Sequence, residues 1–333
     1  METTRASVAS ALVFAVLTTG ALGAQTADSK YDIGTTVFSP KGRLYQVEYA
    51  AEAVNRARPA VGICTDEGVV LCSLKTIYNT RLQVADQREK TSRIDAHAIC
   101  ASAGLTADAM VLVRDCRASA QQHSLTFQEP IPVQKLASHL ADVKQAYTQH
   151  GGLRPWGVSM LLAGWDQSRG FQLYKTEPSG NFGAFKAVAI GAGAARLSSE
   201  LASAYQEAAR AASGHADPVD PDATGMSSMG LEDAVRLAAR VLHKERVRER
   251  ESLEKVNSVV SGDDDGGGGS ARGDGGARGI GMEIATISLT GSQEDGKATV
   301  RLYKDADVES LLISLDYRDS EPGDAGGAEN AEL

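Results

Sequence analysis

Apolar residues in this chain recur at three- and four-residue steps in some stretches and form short unbroken or alternating runs in others, separating helix candidates from strand candidates. Leu44, Val47, Ala51 and Val54 mark one face of a helix over residues 44–57, with Ser39-Pro40 before it and Pro59 after it. Residues 60–65 and 69–73, joined by Asp66-Glu67-Gly68, predict a buried hairpin, and 98–103 a third strand. Ala109, Leu112, Val113, Cys116 and Ala120 line a helix over 105–122, with Asp108 in its first turn complementing the helix dipole. A second helix follows at 133–149. Runs at 157–164, 170–175 and 184–190 suggest a three-stranded meander, followed by helices at 194–212 and 231–249. A closing hairpin over 283–289 and 298–303 and a helix over 306–315 complete the order. That order predicts an α+β fold, a four-layer αββα sandwich with helices on both outer faces of two stacked antiparallel sheets.

Between these elements the composition changes. Residues 213–230 are rich in Pro, Asp, Gly and Ser and read as an inserted loop. The Gly/Asp tract after Gly262 has too few apolar side chains to offset the entropy of ordering it. With 333 residues, 42% hydrophobic and 23% charged, the chain supports one large domain with appendages. The expected division is an extension over 1–30, either signal-like or the product of a misassigned start, a folded domain over 31–319 with insertions near 213–230 and 262–280, and an acidic tail over 320–333.

Several function classes are disfavoured. A net charge of −9 and a pI near 5.3 oppose a protein that neutralises nucleic-acid phosphates. Cys64, Cys72, Cys100 and Cys116 form no CxxC pair and no zinc-ligand spacing, so free buried thiols are expected and no metal is implied. Cys64 and Cys72 could also face each other across the first hairpin. His97, His123 and His139 belong to no nucleophile motif, and the glycines near Gly151 and Gly191 lack a phosphate-loop pattern, so no cofactor is expected. Arg5, the apolar run over 8–17 and the small-residue end Ala21-Leu22-Gly23-Ala24 read as a secretory signal. That run is too short and too interrupted for a membrane span.

One segment carries far more information. Tyr31-Asp32 and, from Thr35, Thr-Thr-Val-Phe-Ser-Pro-Lys-Gly-Arg-Leu-Tyr-Gln-Val-Glu-Tyr-Ala to Ala50 resemble the N-terminal signature of proteasome alpha subunits. Phe127-Gln128-Glu129-Pro130, Lys144-Gln145-Ala146-Tyr147, Arg154-Pro155-Trp156-Gly157 and Gly164-Trp165-Asp166 are similar to one branch of that family. The resemblance covers about residues 31–212, 231–260 and 282–316.

The resemblance implies the sandwich fold reached above, with its Ntn-hydrolase-like architecture, and a non-catalytic place in a ring of different alpha subunits capping the peptidase-bearing beta ring. The implied partners are neighbouring alpha subunits, the beta ring, the C-terminal tails of regulatory particles, and unfolded polypeptide passing the gate, in cytoplasm and nucleus. Tyr31, Asp32, Pro40 and Tyr49 match the positions that stabilise the open gate, although Ile33-Gly34 replaces the usual polar residue after Tyr-Asp. Lys90 matches the lysine that receives a regulator's C-terminal carboxylate. Thr91 stands where an apolar residue is usual, and Arg58-Pro59 replaces a small pair at the edge of that pocket, adding bulk and charge and removing an N–H donor.

Catalysis in this family needs a threonine freed at the start of the first core strand, its own amine acting as base. Here that place reads Arg58-Pro59-Ala60. The alternatives are a divergent, exported paralogue that keeps the fold without assembling, and an active N-terminal-nucleophile hydrolase.

Overall fold

The computed structural model describes residues 29–32, 34–77, 90–213, 229–260, 279–290 and 297–319. The signal-like run, most of both inserted loops and the acidic tail lie outside those residues.

Among the described residues, ten strands form two five-stranded antiparallel sheets. The first sheet contains β1 (Ala60–Cys64), β2 (Gly68–Ile77), β8 (Ala187–Ile190), β9 (Gly279–Thr290) and β10 (Lys297–Leu302) in the order β10-β9-β2-β1-β8. The second contains β3 (Thr91–Asp95), β4 (Ala98–Gly104), β5 (Val158–Asp166), β6 (Gly170–Thr176) and β7 (Phe182–Ala184) in chain order.

The period-two alternation of the strands sends their side chains into separate cores. From β1, Val61 and Ile63 join Val70, Cys72 and Leu74 beneath the helices α4 (Ala194–Ser213), α5 (Leu231–Val260) and α6 (Asp305–Asp319). Ala98, Cys100, Met160 and Leu162 of the second sheet pack against α2 (Thr106–Phe127) and α3 (Val133–Gln149). Between the sheets lie Ala60, Val69, Leu71, Ile99, Ala101, Leu161, Ala163, Leu173 and Ile287. Small residues bring the sheets close: a Cβ on Gly62 would come within 2.9 Å of Leu173 Cδ1. Helices outside and two sheets inside make the α+β, four-layer sandwich that the sequence predicts.

Two strand expectations change. Thr91–Asp95, not anticipated, pairs with β4 at the edge of the second sheet. The run at 184–190 is not one strand closing a meander. Its first residue ends β7, paired with β6, whereas Ala187–Ile190 crosses to the first sheet and pairs with β1. The cysteines are all free, and the hairpin register sets Cys72 opposite Val61 and Cys64 opposite Val69, so these two do not face each other.

Candidate gate and docking site

The signature segment begins with a single helical turn, Ser29–Asp32, and passes through the turn Ser39-Pro40-Lys41-Gly42 into α1 (Tyr45–Asn55). Gly42 N donates to Ser39 O at 2.8 Å, and Arg43 N to Ser39 Oγ at 3.1 Å. Pro40 takes the second position of that turn, which its fixed φ suits. Arg43 then reaches along the helix, pairing with Glu48 and lying 4.9 Å from the Tyr45 ring centre. Ala50 and Val54 are buried beneath α1, and Val54 enters the core between the sheets.

This packing brings Asp32 to α1. Gln46 Nε2 donates to the Asp32 main-chain oxygen at 2.5 Å. Tyr49, half exposed, faces the Asp32 carboxylate, whose hydrogen bond is the main reason the phenol titrates above its ordinary range. Asp32 Oδ1 and the Tyr45 hydroxyl are buried with no hydrogen-bond partner among the described residues. Of the four gate positions the fold thus joins Asp32 and Tyr49. Tyr31 is half-buried in the preceding turn, and Pro40 stands exposed at the loop tip.

The second group surrounds the entrance to β1. Lys90, just before β3, donates from Nζ to the main-chain oxygen of Arg58. Two distant parts of the sequence, both singled out for the same pocket, are therefore adjacent. The Arg58 side chain turns away from Lys90's carbonyl partner: Nε donates to Thr76 Oγ1 at 2.7 Å, and Nη1 meets Glu249 Oε2 of α5 at 2.8 Å. Pro59 O accepts from Leu74 N at 3.0 Å, which fixes the missing-donor residue into β2 through its carbonyl.

Thr91 is buried, and its hydroxyl lies 3.1 Å from Ser73 Oγ while its N–H donates to Glu283 Oε2 at 2.9 Å. A polar side chain at this position is accommodated because the neighbouring sheet supplies polar partners. A cavity of about 360 Å³ extends from Lys90 and Ser102 to Met110, Val113, Arg117 and Leu302.

Other chemistry is subdued. Burial pushes the Cys64 and Cys116 thiols up to about 12, and Cys72 and Cys100 higher still, so none is poised as a thiolate. His97 sits in the core with Nε2 2.7 Å from Ile131 O. Among the described residues no group of His, Cys, Asp or Glu has metal-binding geometry, and no helix is long and apolar enough to cross a membrane.

Three features escaped the sequence reading. Glu249 and Thr76 as partners of Arg58 have no local signal, because they meet only through tertiary packing. Lys144, fully buried, donates to Val158 O at 3.0 Å and to Thr176 Oγ1 at 2.9 Å. Its signal was present: it continues the buried stripe Val133, Leu136, Ala137, Leu140, Ala141 of α3.

Residues 54–214 match the proteasome subunit family, and residues 31–53 match the N-terminal signature of its A subunits. Over 215 residues the chain is 46% identical to proteasome subunit alpha type-4 of Spinacia oleracea and to alpha type-4-A of Arabidopsis thaliana, covering 65% of this chain and 78% of each relative. Alpha type-4-1 of Oryza sativa subsp. indica is 45% identical, also over 215 residues. With the signature forming the helix ahead of the first core strand and the family match running on over residues 54–214, the chain belongs to the alpha-type branch of the proteasome subunit family.

Proposed function

We propose that this chain is a non-catalytic alpha-ring subunit of the proteasome core particle, contributing to ring assembly, control of substrate entry and docking of regulatory particles. The observation that carries the reading is the path of the signature segment: it forms α1, which leads through Arg58-Pro59 directly into β1. The strand that would carry a freed threonine is thus entered by an internal chain, with no hydroxyl or thiol at its start. The carboxylate of Asp32 against Tyr49 supports the gate assignment, and the buried, unpartnered Asp32 Oδ1 suits a donor from a neighbouring subunit. Lys90 against Arg58 supports the docking pocket. The setting is cytoplasm and nucleus, the partners are alpha neighbours, the beta ring, regulator tails and unfolded polypeptide, and the domain runs over residues 31–319.

Purification of the tagged chain from its own cells tests this. It is expected to migrate within a large hetero-oligomer, with an intact mass that retains the residues before Ala60. Recovery only as a monomer, recovery from a secretory fraction with an N-terminus near Gln25, or a new N-terminus at β1 would each overturn the reading. Within the particle, Tyr49→Phe and Asp32→Asn are expected to lower regulator-stimulated peptide hydrolysis several-fold. Unchanged stimulation removes the gate role.

A further inference from the structure

We propose that the cleft between the start of α3 and the β5–β6 turn is a binding site for a phosphomonoester dianion, with Lys135 and Arg169 as its two cations. None of its residues belongs to the gate or docking positions described above.

A cavity of about 430 Å³ opens at this place. The turn that forms one wall is fixed by Asp166. Ser168 Oγ and Arg169 N both donate to its Oδ1 at 2.8 Å, and Gln172 Nε2 donates to Oδ2 at 2.6 Å. Burial pushes the Asp166 carboxyl up, but those bonds and one from the Val133 N–H hold it below its ordinary range. The carboxylate of this wall is therefore ionised and already engaged by four donors, and the turn it braces carries Arg169 to the rim of the cleft.

The cations are differently placed. Lys135 and Arg169 are exposed, line this one cavity and have no carboxylate partner among the described residues. Lys135 Nζ lies 3.2 Å from His123 Nδ1 and 4.9 Å from the Phe127 ring centre, contacts that orient the ammonium and use one of its three N–H donors. Gln134 and Ser138 line the same cavity, and their side chains have no hydrogen bond among the described residues. Their spacing from each other and from Lys135 puts all three on adjoining parts of the α3 surface. On a chain of net charge −9, two cations without acids make a locally positive cleft, which selects an anion. A phosphomonoester brings close to two negative charges and three terminal oxygens, enough for the ammonium, the guanidinium fork, the amide and the hydroxyl together. A carboxylate, with one charge and two oxygens, satisfies fewer of them.

The test uses the full-length chain, a fluorescent heptapeptide with one central phosphoserine, its unphosphorylated counterpart, and inorganic phosphate as competitor. Each variant is first matched to the parent in thermal midpoint. The phosphopeptide is expected to bind at least about tenfold tighter than its counterpart, and Arg169→Gln and Lys135→Gln each to weaken it about tenfold, the worth of one charge-assisted contact. Arg236→Gln, which removes an exposed charge from α5, should leave binding unchanged. Displacement by inorganic phosphate at concentrations similar to the peptide's assigns the site to a free dianion, and resistance to it assigns the site to a phosphorylated polypeptide; both uphold the site. Equal binding of the two peptides, or a loss in Arg236→Gln as large as in Arg169→Gln, overturns it in favour of non-specific charge attraction. Binding of neither phosphopeptide nor phosphate, or binding indifferent to both lining variants, overturns it outright.

Discussion

Lys144 shows how far a single side chain can depart from its usual setting. Burial, partly opposed by Cys116 and Glu177, brings its ammonium down to about 7 from an ordinary value of 10.5. Its acceptors are the carbonyl of Val158, where β5 begins, and Thr176, where β6 ends, so one residue ties α3 to two strands. The linkage has a definite sign. Between about 7 and 10.5 the unfolded chain keeps a proton that the folded chain has released, so stability rises with pH across that window. Below it both states are protonated, and the folded state carries the full cost of the buried charge. Denaturant midpoints should therefore climb from neutral to pH 10 in the parent and stay flatter in Lys144→Met, by an amount on the order of a few kcal/mol. Parallel profiles would remove Lys144 from the pH dependence. Asp108 titrates the opposite way: Arg154 and the Gly157 N–H hold its carboxyl below the ordinary range, although burial resists them, so its contribution is lost in acid. The sequence placed Asp108 in the first turn of its helix, but not against Arg154, since the pairing arises only when β5 docks beside α2.

Helices and long strands were legible because each presents a complete apolar stripe or run, and their order was enough to fix the sandwich. Failures fell where an element is short or its polarity is set by neighbours. β3 reads Thr-Ser-Arg-Ile-Asp, with Thr91 and Ile94 buried, and its polar inward residue hides the strand. At residues 182–190 the apolar character continues while the chain changes sheets, and hydrophobicity alone does not distinguish the two destinations. α5 runs to Val260, beyond the expected end at 249, since charged residues can prolong a helix past its buried face. The junction of β4, α2 and β5 has the least freedom. Gly104 has φ +132°, and a Cβ there would lie 2.1 Å from Gly157 O and 2.8 Å from Val158 Cα. That same carbonyl accepts from Leu105 N at 2.9 Å, while Gly157 N donates to Asp108 Oδ2 at 3.0 Å. Gly104→Ala should cost at least about 2 kcal/mol, seen as a lower thermal midpoint of the isolated chain. An unchanged midpoint would mean that the junction can open, contrary to this packing.

On the scale of the whole molecule, what could be read depended on whether a feature is local or shared with a partner. The sandwich closes within one chain, so its pattern was visible. The proposed gate and docking positions would be completed by another chain, and only the resemblance to alpha subunits pointed to Lys90, Asp32 and Tyr49. Even then the side-chain partners Thr76 and Glu249 remained hidden, because they lie on β2 and α5, far from Arg58 in sequence.

The pairing of β2 with β9 has a consequence for how the polypeptide emerges from the ribosome. From Gly68 opposite Ser288 to Ile77 opposite Gly279, the edge of β2 is matched to residues made about two hundred positions later. At roughly 5–20 residues per second, a nascent chain carries that unsatisfied backbone edge for ten seconds or more. The second sheet has no such wait, since β3 to β7 pair in chain order. A ribosome-bound fragment ending at residue 213 should show protease protection over 91–184 and leave β2 open to cleavage. Equal protection of both regions would remove that order. A translation pause in the later helices would then lengthen the life of an aggregation-prone strand, tying the yield of this subunit to the pace of its own synthesis.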